Sequence, residues 1–208
     1  RPEDLDVLAG LVQCQGQIGH GEEALALLAS DKLAQVPPED LDWLRMLALA
    51  AAGHTADAAA WRGRLGAPRR AFHHYVCGLL ALAEAGTLSA TRPVGRALPH
   101  LRRAVLAAPV ARSLYHFRWA ATVARTRDPA LAQDCVAALE ALWPDSPYAA
   151  FWIGFVLGDT EPRRAVAYLR RAIAGGLDRA SVRANLAAGL DRLGDATGAR
   201  AEWQRALA

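Results

Sequence analysis

The chain has 208 residues, 53% of them apolar, and carries 24 basic and 21 acidic side chains for a net charge of +3. That balance is too even to imply nucleic acid as the ligand, and no apolar run reaches the ~18–20 residues that span a bilayer. Three cysteines, Cys14, Cys77 and Cys135, fall in separate predicted helices and make no disulfide framework.

The elements recur. Ala24, Ala58, Ala97, Ala132, Ala165 and Ala199 stand 34, 39, 35, 33 and 34 residues apart. Each follows a glycine or turn signal and opens an apolar helical stretch, so the chain reads as six helix-turn-helix units. The first, residues 5–38, holds Leu8, Leu11, Gly19 and Ala24. The second, 39–70, holds Trp43, Leu49, Gly53 and Ala58, with Thr55 as the expected cap. The third, 71–109, runs from the helical "HHYVCGLLALAEAG" through a long loop at 87–95 to Ala97, Leu101, Ala104 and Pro109. The fourth, 110–144, contains Trp119, Ala120, Val123, Ala132 and Pro144, with Asp128 capping a helix that opens on Pro129. The fifth, 145–178, contains Ile153, Gly154, Leu157, Ala165, Leu169 and Ala172. The last, 179–208, is the clearest, with Asn185-Leu186-Ala187 and Leu190 leading through Gly194-Asp195 to Ala199, Trp203 and Ala206. Gly194 suits a left-handed helix end, and Asp195 or Thr197 can cap the next helix.

That last unit resembles the tetratricopeptide repeat (TPR) consensus, and the other five follow it in phase. The small residues that let the two helices approach are Ala187, Ala199 and Ala206, and the large ones around them are Leu186, Leu190 and Trp203. The resemblance implies an all-α, right-handed superhelical solenoid of antiparallel helix pairs. Pro2 falls where an earlier repeat would end, and no polar helix follows Ala208. The chain is therefore expected to be a segment of a larger protein. A bacterial source with a GC-rich genome fits 23 arginines against the single Lys32.

In this family the first helices line a concave groove. Carried onto this chain, the groove positions include Tyr75, Phe117, Arg118, Arg125, Tyr148, Phe151, Phe155, Asn185 and Arg192. Arg118 and Arg125 are seven residues apart and share a helix face. Residues 85–127 contain 8 arginines and no acid, whereas residues 1–60 hold 10 acids and 3 bases. The expected function is a protein-interaction scaffold whose groove holds an acidic, partly apolar segment of another protein. Asp159 and Asp191 are alternative partners for the arginines. The near absence of lysine sets aside the chaperone-tail clamp of some members. Two alternatives stand beside this reading. One is a docking or regulatory module of a larger kinase, glycosyltransferase or transcriptional regulator, and the other is a structural array that self-associates through uncapped ends.

No chemistry-bearing motif competes. His73 and Cys77 are four residues apart, but with His74 they lack the remaining ligands of a metal site. Ser113, His116 and Asp128 come without a nucleophile elbow, and no phosphate-binding glycine loop is present. "HLRRAV" (100–105) and "YLRRAI" (168–173) read as solvated faces of second helices. No catalytic residue, metal or cofactor is assigned, nucleic acid and membrane insertion are not expected, and the location is expected to be cytoplasmic. Because the chain does not begin with methionine, a periplasmic location stays open. The 39-residue step from Ala58 to Ala97 is the expected functional seam.

Overall fold

A computed structural model describes residues 7–8, 11–12, 15, 20–29, 33, 36–84, 94–107 and 114–207. Pro2, Cys14, Gly19, loop residues 87–93, Pro109, Ser113 and Ala208 lie outside them. The described residues are all-helical. The chain divides into two compact units, Arg1–Ala108 and Pro109–Ala208. The 39-residue step therefore lies inside the first unit.

The first unit contains α1 (Gly21–Leu28), α2 (Pro38–Ala51), α3 (Thr55–Arg62), α4 (Ala71–Glu84) and α5 (Val94–Ala107). Here α2 packs against α1, α3 and α4, and α4 runs along α5. The second contains α6 (Leu114–Thr126), α7 (Pro129–Leu142), α8 (Pro147–Leu157), α9 (Pro162–Ala174), α10 (Ala180–Arg192) and α11 (Ala196–Leu207). Within it α6, α8 and α10 touch in succession, and each also lies against the helix that follows it.

Local chemistry sets the helix ends. Pro129, Pro147 and Pro162 open α7, α8 and α9, where a missing N–H costs nothing. Asp128 caps α7 by accepting hydrogen bonds from the backbone N–H groups of Ala130 (2.9 Å) and Leu131 (3.3 Å). Asp195 does the same for α11 through Gly198 N–H at 2.9 Å. Gly194 takes a φ of 81° in the turn between α10 and α11. In the corresponding turn between α6 and α7 the left-handed position falls to Arg127, with φ 51°. One cap differs from expectation. Thr55 is the first helical residue of α3 and His54 holds the cap position, with no side-chain cap bond.

The recurring alanines have a single structural role. Each is the fourth residue of its helix, in α1, α3, α5, α7, α9 and α11, and all six are buried. Glycines face two of them. A Cβ on Gly78 of α4 would lie 2.6 Å from Leu101, beside the Ala97 carbonyl, and one on Gly154 of α8 would lie 2.7 Å from Leu169, beside the Ala165 carbonyl. The two helix pairs thus repeat one close contact, in which a bare backbone on the first helix receives an alanine and a leucine from the second. In the α4–α5 pair Gly78 makes this contact. Its neighbour Cys77 is buried next to it. Trp203, expected to fill the core of the last pair, is instead 45% exposed.

Candidate functional site

Helix α8, "PYAAFWIGFVL", has no charged side chain. One face is used against α9, where Gly154 permits the close approach. The other carries Tyr148, Phe151, Trp152 and Phe155, spaced at three, four and seven residues and therefore on one side. Trp152 is the hub. Its ring centroid lies 4.5 Å from Phe151, 6.0 Å from Phe155 in an edge-on contact, and 5.0 Å from Phe117 of α6.

This aromatic face lines a cavity of about 340 Å³, open to solvent on one side, which α6, α8 and α10 enclose. Its apolar wall is completed by Leu177 and Val182, both buried in the core of the unit. Its polar lining comes from Arg179, Ser181 and Asn185. Asn185 donates its side-chain N–H to the Ser181 carbonyl at 2.7 Å, which fixes the amide one turn into α10. Arg179 lies over the Tyr148 ring at 5.7 Å and donates to its hydroxyl at 3.1 Å. Its neighbour Asp178 is committed elsewhere, bonded to Arg183 at 2.6 Å, and that guanidinium holds the Asp178 carboxyl below its usual range. The cavity therefore has one exposed cation at its edge and no carboxylate in its lining.

Of the nine residues placed in the groove from sequence, Phe117, Tyr148, Phe151, Phe155 and Asn185 line this cavity. The other four do not. Arg118 is half-buried on α6, its guanidinium over the Phe117 ring at 5.6 Å. Arg125 is half-buried two turns further along that helix. Arg192 is paired with Asp159 at 2.6 Å. Tyr75 requires correction, since it is fully buried in the first unit. It lies on α4, which packs against α2, α3 and α5. Sequence reasoning missed Trp152 and Arg179. Trp152 had a legible signal, four residues after Tyr148. Arg179 had none, because it occupies the cap position before α10 and helical phase does not reach it.

The first unit holds two polar clusters. Asp40 of α2, fully buried, accepts from Arg70 at 2.6 Å and bonds His73 Nε2 at 3.0 Å. His73 Nδ1 accepts from the Arg69 backbone N–H at 3.4 Å, which leaves the ring proton on Nε2 facing the carboxylate. The ring also stacks on Trp43 at 4.5 Å. Glu39, Asp40 and His73 present oxygen and nitrogen atoms close enough for one metal ion, but the Arg70 guanidinium already bridges both carboxylates. The adjacent His74 points elsewhere, with its Nδ1 3.4 Å from His100 Nδ1. Burial pushes the Cys77 and Cys135 thiols up, so neither is poised as a nucleophile. His116 packs edge-on against Trp143 at 4.2 Å, and the Asp128 carboxylate is used as a cap. Among the described residues no helix is long and apolar enough to cross a membrane. No protein-family model matches the chain, and no curated protein matches it.

Proposed function

We propose that the chain is a protein-interaction module built from TPR-type helix pairs stacked as a solenoid. Its second unit binds an acidic, partly apolar segment of another protein in the cavity between α6, α8 and α10. Support for the repeat type comes from six alanines buried at one helical position and from the matching glycine contacts at Gly78 and Gly154. The observation that carries the binding site is the cavity itself. It joins five aromatic side chains to one exposed arginine, with no acid in the lining.

A volume of about 340 Å³ is at the small end of the ~300–1,000 Å³ range of ligand cavities. It suits one or two large side chains of a peptide better than a whole cofactor. Aromatic and arginine side chains are the residues that most often dominate interface energetics. Arg179 offers a planar donor pair to a carboxylate flanking the buried anchor. In this reading Arg179 supplies the charge, and Arg118 and Arg125 extend the positive field along α6.

The test is selection from a random-peptide display library on the whole chain, followed by calorimetry of the selected peptides. The expected consensus is a large apolar residue beside Asp or Glu. Trp152→Ala is expected to weaken binding at least about tenfold, equivalent to ~1.4 kcal/mol. Arg179→Glu is expected to weaken it and flatten its salt dependence. Selected peptides that bind both variants as well as the parent would overturn the site. A second reading, self-association, is favoured by the exposure of Trp203 (45%) and Leu207 (88%) on α11. Light scattering that stays monomeric over a hundredfold range of concentration rules against it.

A further inference from the structure

We propose that His74, His100, Arg62 and Arg103 in the first unit form a binding site for a tetrahedral oxyanion, a phosphate or sulfate group. The four side chains come from three helices. His74 lies on α4 and His100 on α5, both half-buried, with ring centroids 5.8 Å apart and Nδ1 atoms at 3.4 Å. Arg103 follows His100 by three residues, on the same face of α5. Arg62 ends α3, held by hydrogen bonds to the Leu65 and Gly66 carbonyls at 3.4 Å each and by stacking over Trp43 at 5.2 Å. Arg62 also hydrogen-bonds the Cys77 thiol of α4; a guanidinium has five N–H donors, so these three contacts leave Arg62 donors for a ligand.

Among the described residues no carboxylate balances the cluster. From Ala58 to Arg127 the sequence has twelve arginines and a single acid, Glu84. Glu84 is ten residues after His74 on the same helix, a rise of ~15 Å. From α3, Asp57 faces His54 at 3.9 Å. From α2, Asp40 is taken by His73 and Arg70. Among the described residues none of the four side chains is ion-paired. Burial, then repulsion by His100, Arg103 and His73, holds His74 below the ordinary imidazole range. Burial, then Arg62 and Arg103, does the same to His100. The two imidazoles are therefore neutral near pH 7 and share one hydrogen bond. An ion with two negative charges and several acceptor oxygens removes the repulsion, lets both rings protonate and turns each Nδ1–H toward a separate oxygen.

The consequence is proton-linked binding. The anion raises both histidine pKa values, so affinity rises as pH falls toward 6. Sulfate is the discriminating probe because its own charge is constant over this range. The whole chain is titrated with sodium sulfate, and with sodium chloride at matched ionic strength, while the histidine imidazoles are followed by ¹⁵N NMR. Saturable shifts of His74 and His100 are expected in sulfate alone, with affinity falling about tenfold or more from pH 6 to pH 8. Arg103 is exposed, so Arg103→Gln keeps the fold, checked by circular dichroism, and is expected to lose about fivefold or more in affinity. Titration with inorganic phosphate and with O-phosphoserine separates the two natural sources. Tighter phosphoserine binding assigns a phosphomonoester and tighter phosphate binding a free ion. Equal histidine shifts in chloride, or unchanged sulfate affinity in Arg103→Gln, would overturn the site.

Discussion

Arg127 shows how one residue can carry a local cost that its counterparts avoid. The turns after α2 and α10 end on Gly53 and Gly194 at φ of 86° and 81°, and the turn after α6 places Arg127 at 51°. A side chain in that region crowds its own backbone, at ~1–2 kcal/mol relative to glycine. Its side chain is 79% exposed and reaches Asp159 only at 3.9 Å, a contact of little worth in water. Arg127→Gly is therefore expected to stabilise the protein by about 1 kcal/mol, read as a higher urea midpoint at constant slope. A lower midpoint would show that the Asp159 contact outweighs the strain. The buried Asp40 belongs to the same scale. Its carboxylate is tolerated inside the first unit only because Arg70 and His73 satisfy it on two sides.

At the scale of elements, the governing contact is the close approach of paired helices. Gly154 faces Leu169 so closely that an added Cβ would sit 2.7 Å from its Cγ, with the Ala165 carbonyl at 3.0 Å. Leu169 is itself buried at 1% exposure and cannot swing away. Gly154→Ala gains helix propensity of under about 1 kcal/mol, but overpacking of ~1–3 kcal/mol opposes it. The expected net result is a lower melting temperature. Ala199→Leu should act the same way on α10 and α11, by ~1–3 kcal/mol. An unchanged melting temperature in both variants would mean that these helices can separate freely. The aromatic face of α8 depends on this packing. With one side pressed against α9, the Tyr148, Trp152 and Phe155 side chains remain available to the cavity.

At the scale of the whole molecule, burial of two histidines, reinforced by the arginines around them, makes the stability of a nearly neutral chain depend on pH. His74 and His100 have folded-state pKa values below the ordinary 6.5. Below that value the unfolded chain takes up protons that the folded chain resists, so stability falls as pH drops from about 7.5 toward 5.5. Chemical denaturation in chloride is expected to show that fall, and His74→Gln to reduce it. An equally steep fall in the variant would place the titrating groups elsewhere. The helical class and the burial of the six recurring alanines were legible in the sequence because those alanines report one physical demand, a small side chain where two backbones meet. Five of the cavity residues were legible for a related reason, since helical phase sorts positions into faces. Phase alone misplaced Tyr75 in the groove, because the choice between adjacent residues at the α4–α5 contact depends on whether Cys77 or Gly78 meets Ala97. It also missed Arg179, which lies outside any helix. Local spacing was enough for the all-helical class, the buried alanine positions and the aromatic content of α8, since these follow from where small and large side chains recur along the chain. Which arginine stands at the cavity, which aromatics are buried, and that His74 meets His100 across 26 residues of chain were set by packing between helices. Those outcomes depend on contacts between helices, whose geometry no single helical period encodes.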